Sequence, residues 1–274
     1  MLKINELYIY PVKSLGGIKV NKAYVTDRGL EYDRRWMLVD KYNRFISQRE
    51  VAQMALLKVN FHYEGLQITD KTSNANLIIP FQPLTQQFIN VTIWDDTCTG
   101  QLVSEDADKW FTEILGINCR LVYMPDETVR STDPKYTSTD SITSFSDAYP
   151  FLIIGQASLD DLNDRLPQPL LIDRFRPNIV FTGGKPYQED TMDTLVINNI
   201  TFNGVKLCAR CNVITIDQSN AVQTKEPLKT LATYRSKNNK VYFGQNLISL
   251  NVGYISVNDQ IAVLNTHTAE RFMI

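Results

Sequence analysis

Short runs of alternating apolar and polar residues recur along the chain, and they constrain its fold more than any other feature. "LLKVNFHY" (56–63), "FINVTIW" (88–94), "LVINNITF" (195–202) and "LISLNVGYISV" (247–257) are rich in Val, Ile, Tyr and Phe. A period of two puts one face of an extended segment into a core, so each run reads as a strand. Asn203-Gly204, between "NNITF" and "VKLCA", is a tight-turn dipeptide and predicts a hairpin.

Three helices are expected. Residues 106–115 carry Trp110, Phe111, Ile114 and Leu115 on one side and stop at Gly116. Residues 158–166 start from Ser158 as N-cap, with Asp160 and Asp161 where carboxylates favour the positive helix end. Residues 226–235 place Pro227 near the first helical position. The polar stretch 124–150 lacks periodicity and reads as a long loop, a boundary or a surface segment near a site. Many strands and few helices give a mixed α/β, β-rich class, a β-barrel-based architecture in two parts, 1–123 and 124–274.

With 274 residues the chain has ample material for such a core. A net charge of −2 and a pI near 5.8 point away from nucleic-acid and membrane-surface binding. The N-terminus, "MLKINELYIYPVKS", lacks the pattern of a signal peptide, and apolar stretches such as "FLII" are too short to span a bilayer. A cytoplasmic protein with reduced thiols is expected.

The segment "KLCARCNVITID" (206–217) raises the question of chemistry. A structural zinc needs four ligands, and neither Cys98 and Cys119 nor His62 and His267 supply a second pair at ligand spacing. A thioredoxin-like pair wants its first cysteine at a helix N-terminus, whereas a β-branched alternating run follows here. Two half-buried thiols packed as small hydrophobes remain a further reading, and spacing alone leaves it open. No G-x-S-x-G, G-x-G-x-x-G or P-loop is present. Polar residues cluster in short Pro-containing contexts: "YPVKSL" (Lys13, Ser14), "YDRRW" (Arg34, Arg35), "RFRPN" (Arg174, Arg176, Asn178), and Arg210 between the cysteines. If these converged, they would form an anion pocket beside a thiolate.

At these residues the chain resembles the MOSC proteins, named for the molybdenum cofactor sulfurase C-terminal domain. The branch is the one with an extra N-terminal β-barrel, which includes the mitochondrial amidoxime-reducing component and its bacterial relatives. "IYPVKSLGG", "DRRWMLVD", "PFLIIGQASLDDLNDRL", "FRPNIVFTGG", "CARC" before "TID", "EPLKTLATYR" and "FGQN" occur in the family's order. The resemblance implies an N-terminal MOSC-associated barrel at 1–123 and a MOSC domain at 124–274. It implies molybdenum held by a pyranopterin and by Cys211 as catalytic metal ligand, with Cys208 spare. Lys13, Ser14, Arg34, Arg176 and Asn178 would contact the pterin and its phosphate. Ala209 and Arg210 would approach through backbone or side chain, and "DAYP" would bring Ala148 and Tyr149 close.

The activity so implied is reduction of small N-hydroxylated compounds such as hydroxylamines, amidoximes and N-hydroxylated bases. Electrons would come from a separate ferredoxin, flavoprotein or cytochrome, since no iron–sulfur ligand run such as C-x₄-C-x₂-C and no membrane leader is seen. A cofactor or persulfide carrier without its own turnover is the alternative. Glu189 or Asp190 would assist proton delivery or, more simply, support the structure. The chain departs from its relatives after Asp217, where Asn220 is expected to take the left-handed conformation usually supplied by Gly. It departs also at Met192 and at Ala148-Tyr149, which bear on pocket shape.

Overall fold

The computed structural model describes residues 1–137 and 140–267. Among them the largest sheet has nine strands. From one edge these are Ile261–Thr266, Met192–Ile197, Ile200–Arg210, Lys240–Ser249, Phe151–Gly155, Ile179–Thr182, Lys3–Ile9 and Ile18–Val20. The short strand Ser236–Lys237 pairs to Lys240–Ser249. Neighbours are antiparallel except Phe151–Gly155 and Ile179–Thr182, which run parallel and are joined through the crossover helix Gln156–Asp164.

Period two explains how this sheet is buried on both faces. Phe151, Ile153, Ile179 and Phe181 point into one core with Phe202 and Leu247. Leu152, Ile154 and Val180 point the other way, onto Leu159, Leu162, Phe175 and Phe243. Each such side chain contributes about 1.5–3 kcal/mol on burial. The strand Trp36–Val39 works likewise in a four-stranded sheet: Trp36 and Leu38 enter one cluster, Met37 and Val39 another. The helix Glu105–Leu115 packs Ala107, Phe111 and Leu115 inward. Ser104 caps it by accepting from the Ala107 amide at 3.1 Å, and Gly116 ends it at φ 65°.

Two strands of the first thirty residues pair with the C-terminal half, while Val12 and Leu15 pack against Trp36 and Leu57 of the other half. Lys3–Ile9 pairs with Ile179–Thr182, and Lys22–Thr26 lies between Gly29–Leu30 and Gly253–Ser256. Residues 124–150 hold no helix or extended strand among those described. Arg130 ties this stretch down: its guanidinium donates to the carbonyls of Ser144 (2.9 Å), Ser146 (2.6 Å) and Asp147 (3.1 Å).

Several local expectations are corrected. Asn203-Gly204 makes no turn; it lies inside the strand Ile200–Arg210, and the hairpin closes at Ile197 and Ile200 instead, with Asn198 at φ 54°. Gly204 serves close approach, because a Cβ there would overlap Gln245 and the Met192 carbonyl. Ser158 is no N-cap: the helix starts at Gln156, and the buried Ser158 hydroxyl donates to Glu189 at 2.8 Å. Residues 247–257 divide between Lys240–Ser249 and Gly253–Ser256, which sit in different sheets. The third helix shortens to Leu228–Ala232, and the left-handed residue after Asp217 is Ala221, at φ 61°.

Candidate functional site

Several turns, with the end of the strand Ile200–Arg210, bring their side chains to one cavity of about 280 Å³. Lys13, Ser14, Arg34, Ala148, Tyr149, Arg176, Asn178, Ala209, Arg210 and Cys211 all line it. Three of these are left-handed without being glycine: Ser14 (φ 67°), Arg34 (φ 50°) and Arg176 (φ 55°). Such backbone costs of order 1–3 kcal/mol per residue and persists where the surroundings over-determine it. Here the determinants are visible. Arg34 donates its amide to the Tyr10 carbonyl (2.8 Å), Arg176 to that of Asp173 (3.2 Å), and the Ser14 carbonyl accepts from Gln48 at 2.7 Å.

The arginines are held by part of their donors and leave the rest. Arg34 donates to Asp33 at 2.5 Å, to Asn178 Oδ1 at 3.1 Å and to the Arg176 carbonyl at 3.1 Å. Arg176 donates to the Leu15 carbonyl at 2.6 Å, and both guanidinium groups lie over the Tyr10 ring, at 4.4 and 4.3 Å from its centroid. Arg210 donates to the carbonyls of Phe243 (2.8 Å) and Phe175 (3.0 Å), and Arg174 to Asp217 at 2.7 Å. Arg174 Nη1, Arg176 Nη2 and Arg210 Nη2 are buried without a partner, as is the Tyr149 hydroxyl. Buried charged donors left unpaired are costly, which marks them as waiting for an acceptor.

The charge of the lining agrees. In a chain of net charge −2, this cavity gathers eight cationic side chains against one carboxylate, Asp147. Lys13 is buried and donates to Asp147 Oδ1 (2.6 Å) and the Phe145 carbonyl (2.8 Å). Burial pushes its ammonium down to about 8, against the pull of Asp147. Burial, with Arg34 as a like-charged neighbour, pushes Arg176 down to about 10. An anion in the cavity would relieve both. Asn178 is spent on the protein: its side chain accepts from Arg34 and the Leu152 amide and donates to the Tyr8 carbonyl. It positions Arg34 and the strand ends.

The two motif cysteines both line the cavity but differ in setting. Cys208 is half-buried against the apolar cluster under the sheet, and burial raises its thiol. Cys211 is exposed and precedes the short 3₁₀ turn Asn212–Thr215. Cys98 and Cys119 are buried elsewhere, and burial pushes both thiols up to about 11. Among the described residues no three of His, Cys, Asp and Glu converge. A metal on Cys211 would therefore take its other ligands from a cofactor.

Glu189 and Asp190 do not line the cavity. Glu189 accepts from the Gly155 amide (3.2 Å) and Ser158 (2.8 Å), and Asp190 pairs with Arg235 at 2.5 Å. Glu189 holds the junction between Phe151–Gly155 and the helix Gln156–Asp164, and Asp190 ties in Arg235. Conversely, the cavity includes Phe45, Arg49 and Trp94, which no local pattern announces. The Arg49 guanidinium lies 4.0 Å from the Trp94 ring centroid, and the Trp94 indole donates to Asp147 at 3.2 Å.

The fold and site define a β-barrel protein that presents an exposed thiol beside a pocket lined mainly by cationic side chains. Residues 1–118 match the MOSC N-terminal beta barrel domain and residues 140–262 the MOSC domain. The chain belongs to the MOSC family, in the branch that carries this N-terminal barrel. It is 30% identical to mitochondrial amidoxime-reducing component 1 of Mus musculus over 279 residues, covering 95% of this chain and 82% of that protein. It is 32% identical to mitochondrial amidoxime reducing component 2 of Homo sapiens over 242 residues, covering 85% and 72%. Molybdenum cofactor sulfurase of Oryza sativa is 31% identical over 263 residues, which are 89% of this chain and 32% of that protein. Among the described residues no helix is long and apolar enough to cross a membrane.

Proposed function

We propose that this chain is a molybdenum cofactor-dependent reductase of small N-hydroxylated compounds, supplied with electrons by a separate donor protein. The observation that carries the cofactor part is the set of three unpartnered guanidinium nitrogens around a cavity that also holds an exposed cysteine. The residues present fit a phosphate-bearing group that ends in a soft metal. Lys13, Arg174, Arg176 and Arg210 would hold its anionic part, and Cys211 would supply the thiolate. Family membership with relatives named amidoxime-reducing component supports the choice of N-hydroxylated substrates.

The cofactor supplies the two-electron chemistry when bound. The chain's own contribution is electrostatic and geometric. Fixed arginines balance negative charge in a site where water is partly excluded, and they need no reorganisation to do so. Lys13, with its ammonium poised near neutrality, can hold or release a proton at Nζ beside Asp147. Reduction of R–NHOH to R–NH₂ and water consumes two electrons and two protons, so a proton-exchanging group in the cavity suits the reaction. Arg49 and Trp94 would close the substrate side from the N-terminal half.

The test is elemental and pterin analysis of protein expressed in a cofactor-competent host, followed by donor-dependent turnover of a hydroxylamine and an amidoxime. Near-stoichiometric molybdenum and pterin, lost in Cys211→Ala, together with turnover, support the reading. Loaded protein without turnover, or a persulfide on Cys211 of metal-free protein, would favour the carrier reading and overturn the enzymatic one.

A further inference from the structure

A second cavity, of about 680 Å³, opens behind the first. Arg176 lines both. The second cavity lies where the first strand, Lys3–Ile9, meets the segment 169–173 and residues from the 55–71 region. Its floor is bare backbone at Gly16 and Gly17, and Gly17 is required there because a Cβ would run into the Tyr10 ring.

Three features give this cavity a chemistry. The first is flat apolar surface. Tyr8 and Tyr10 line it, their rings stacked at 6.3 Å with an interplanar angle of 25°, and Leu170 and Leu171 add aliphatic walls. Leu171 is 75% exposed at this lining, so its apolar surface is open to an incoming group.

The second feature is charge. Glu6 is already neutralised, accepting from Lys19 at 2.5 Å and from the Tyr8 hydroxyl at 2.6 Å. Asp173 remains, with burial raising its carboxyl. Against it stand Lys71, whose ammonium rests on the Gln218 (2.6 Å) and Ala55 (3.3 Å) carbonyls, Arg176, and Lys58, which pairs with no carboxylate among the described residues. The balance is positive.

The third feature is an unmet donor. The Tyr10 hydroxyl is buried and has no hydrogen-bond partner, although its ring lines the cavity. Burial raises this phenol, so it stays protonated and offers an O–H donor to an incoming acceptor.

We infer that this second cavity binds a small aromatic carboxylate, its rings against Tyr8, Leu170 and Leu171 and its carboxylate toward Lys58 and Lys71, with an acceptor in reach of Tyr10. A volume of about 680 Å³ accommodates a two-ring ligand and falls within the usual range of small-molecule sites. The inference does not depend on what the first cavity holds.

The probe is 2-naphthoate, titrated into the full chain by calorimetry, with 2-naphthamide as the uncharged analogue and inorganic phosphate as the competing anion. Saturable naphthoate binding is expected, with the amide weaker by about tenfold or more. Lys58→Ala combined with Lys71→Ala should weaken naphthoate about tenfold, and Tyr10→Phe several-fold. Lys58 is exposed and Tyr10→Phe keeps the ring, so these variants retain the fold. Arg210→Gln, which alters only the first cavity, should leave naphthoate affinity unchanged. No saturable binding up to about 5 mM, or binding lost in Arg210→Gln and untouched by the lysine variants, would overturn the assignment.

Discussion

Replacing Lys13 by Met tests the electrostatic design of the cavity directly. Lys13 is 5% exposed, and burial holds its ammonium at about 8 against an ordinary value of 10.5. For a lysine depressed in the folded state, the unfolded chain binds the extra proton between those values. Stability therefore rises with pH from about 8 to 10.5, and below 8 the charged lysine is a standing cost. A shift of that size corresponds to about 3 kcal/mol. Met fills similar volume without charge, but it leaves the Phe145 carbonyl without its lysine donor, which returns about 1–3 kcal/mol. Asp147 loses a partner cheaply, because its side chain is 71% exposed. The net expectation is that Lys13→Met stabilises the ligand-free protein at pH 7 by about 1 kcal/mol, or about 2–4 °C in Tm.

Ligand affinity should move the other way. Removing one cation from the pocket should weaken inorganic pyrophosphate about tenfold or more, the effect of roughly 1.4 kcal/mol at one site. The assay is thermal unfolding of wild type and variant at pH 7 and 9.5, paired with pyrophosphate titration at both. At pH 9.5 the wild-type ammonium is largely discharged, so the two proteins should converge in affinity, while the wild type, whose neutral amine still donates to the Phe145 carbonyl, should gain about 2 kcal/mol in stability relative to the variant. A variant that is less stable at pH 7, with the same deficit at pH 9.5, would refute the reasoning. Lys13 would then be a structural strut rather than a charge held in reserve.

Cys211→Ser is expected to abolish molybdenum retention and turnover in a folded protein, whereas Cys208→Ser should largely spare both; equal loss, read by metal analysis and kinetics, would point to a dithiol. Glu189→Gln probes the junction behind the site. Burial raises that carboxyl to about 7, so its stability contribution is present below about 4.5 and is lost as pH climbs through 7. The variant should therefore be relatively more stable at pH 8 than at pH 5, by up to about 3 kcal/mol, in pH-resolved melting. Gly204→Ala forces a methyl into Gln245 and the Met192 carbonyl and should cost about 3 kcal/mol or more in chemical denaturation. A neutral outcome would mean that the strand yields there.

Much of the fold was legible because the alternation is so regular. Phe151 to Ile154 and Trp36 to Val39 feed opposite clusters residue by residue, as a period of two requires. The helix Glu105–Leu115 was legible through its one-sided apolar residues and its closing glycine, whereas its cap at Ser104 was not read. Misreadings arose where one residue type answers two demands. Gly204 looked like a turn residue, but it is a point of close approach; Ser158 looked like a cap, but Glu189 takes its hydroxyl. The convergence of Lys13, Arg34, Arg176 and Cys211 could be suggested by resemblance and could not be derived from spacing. It depends on strand order, which joins residue 4 to residue 181. Phe45, Arg49 and Trp94 had no local signal, since their role comes from a turn in the other half reaching the same cavity.

That strand order has a consequence for how the protein comes into being. Lys3–Ile9 leaves the ribosome some 170 residues before its partner Ile179–Thr182, and Lys22–Thr26 waits longer still for Gly253–Ser256. Until then the edge of Lys3–Ile9 that faces Ile179–Thr182 has unsatisfied backbone, and apolar side chains such as Ile4 and Leu7 are bare. The pocket cannot be assembled in instalments: Lys13 and Cys211 meet only after the long stretch between them has been made. Maturation must therefore follow completion of synthesis, and a nascent chain stalled midway should be a client for chaperones rather than a half-built binder.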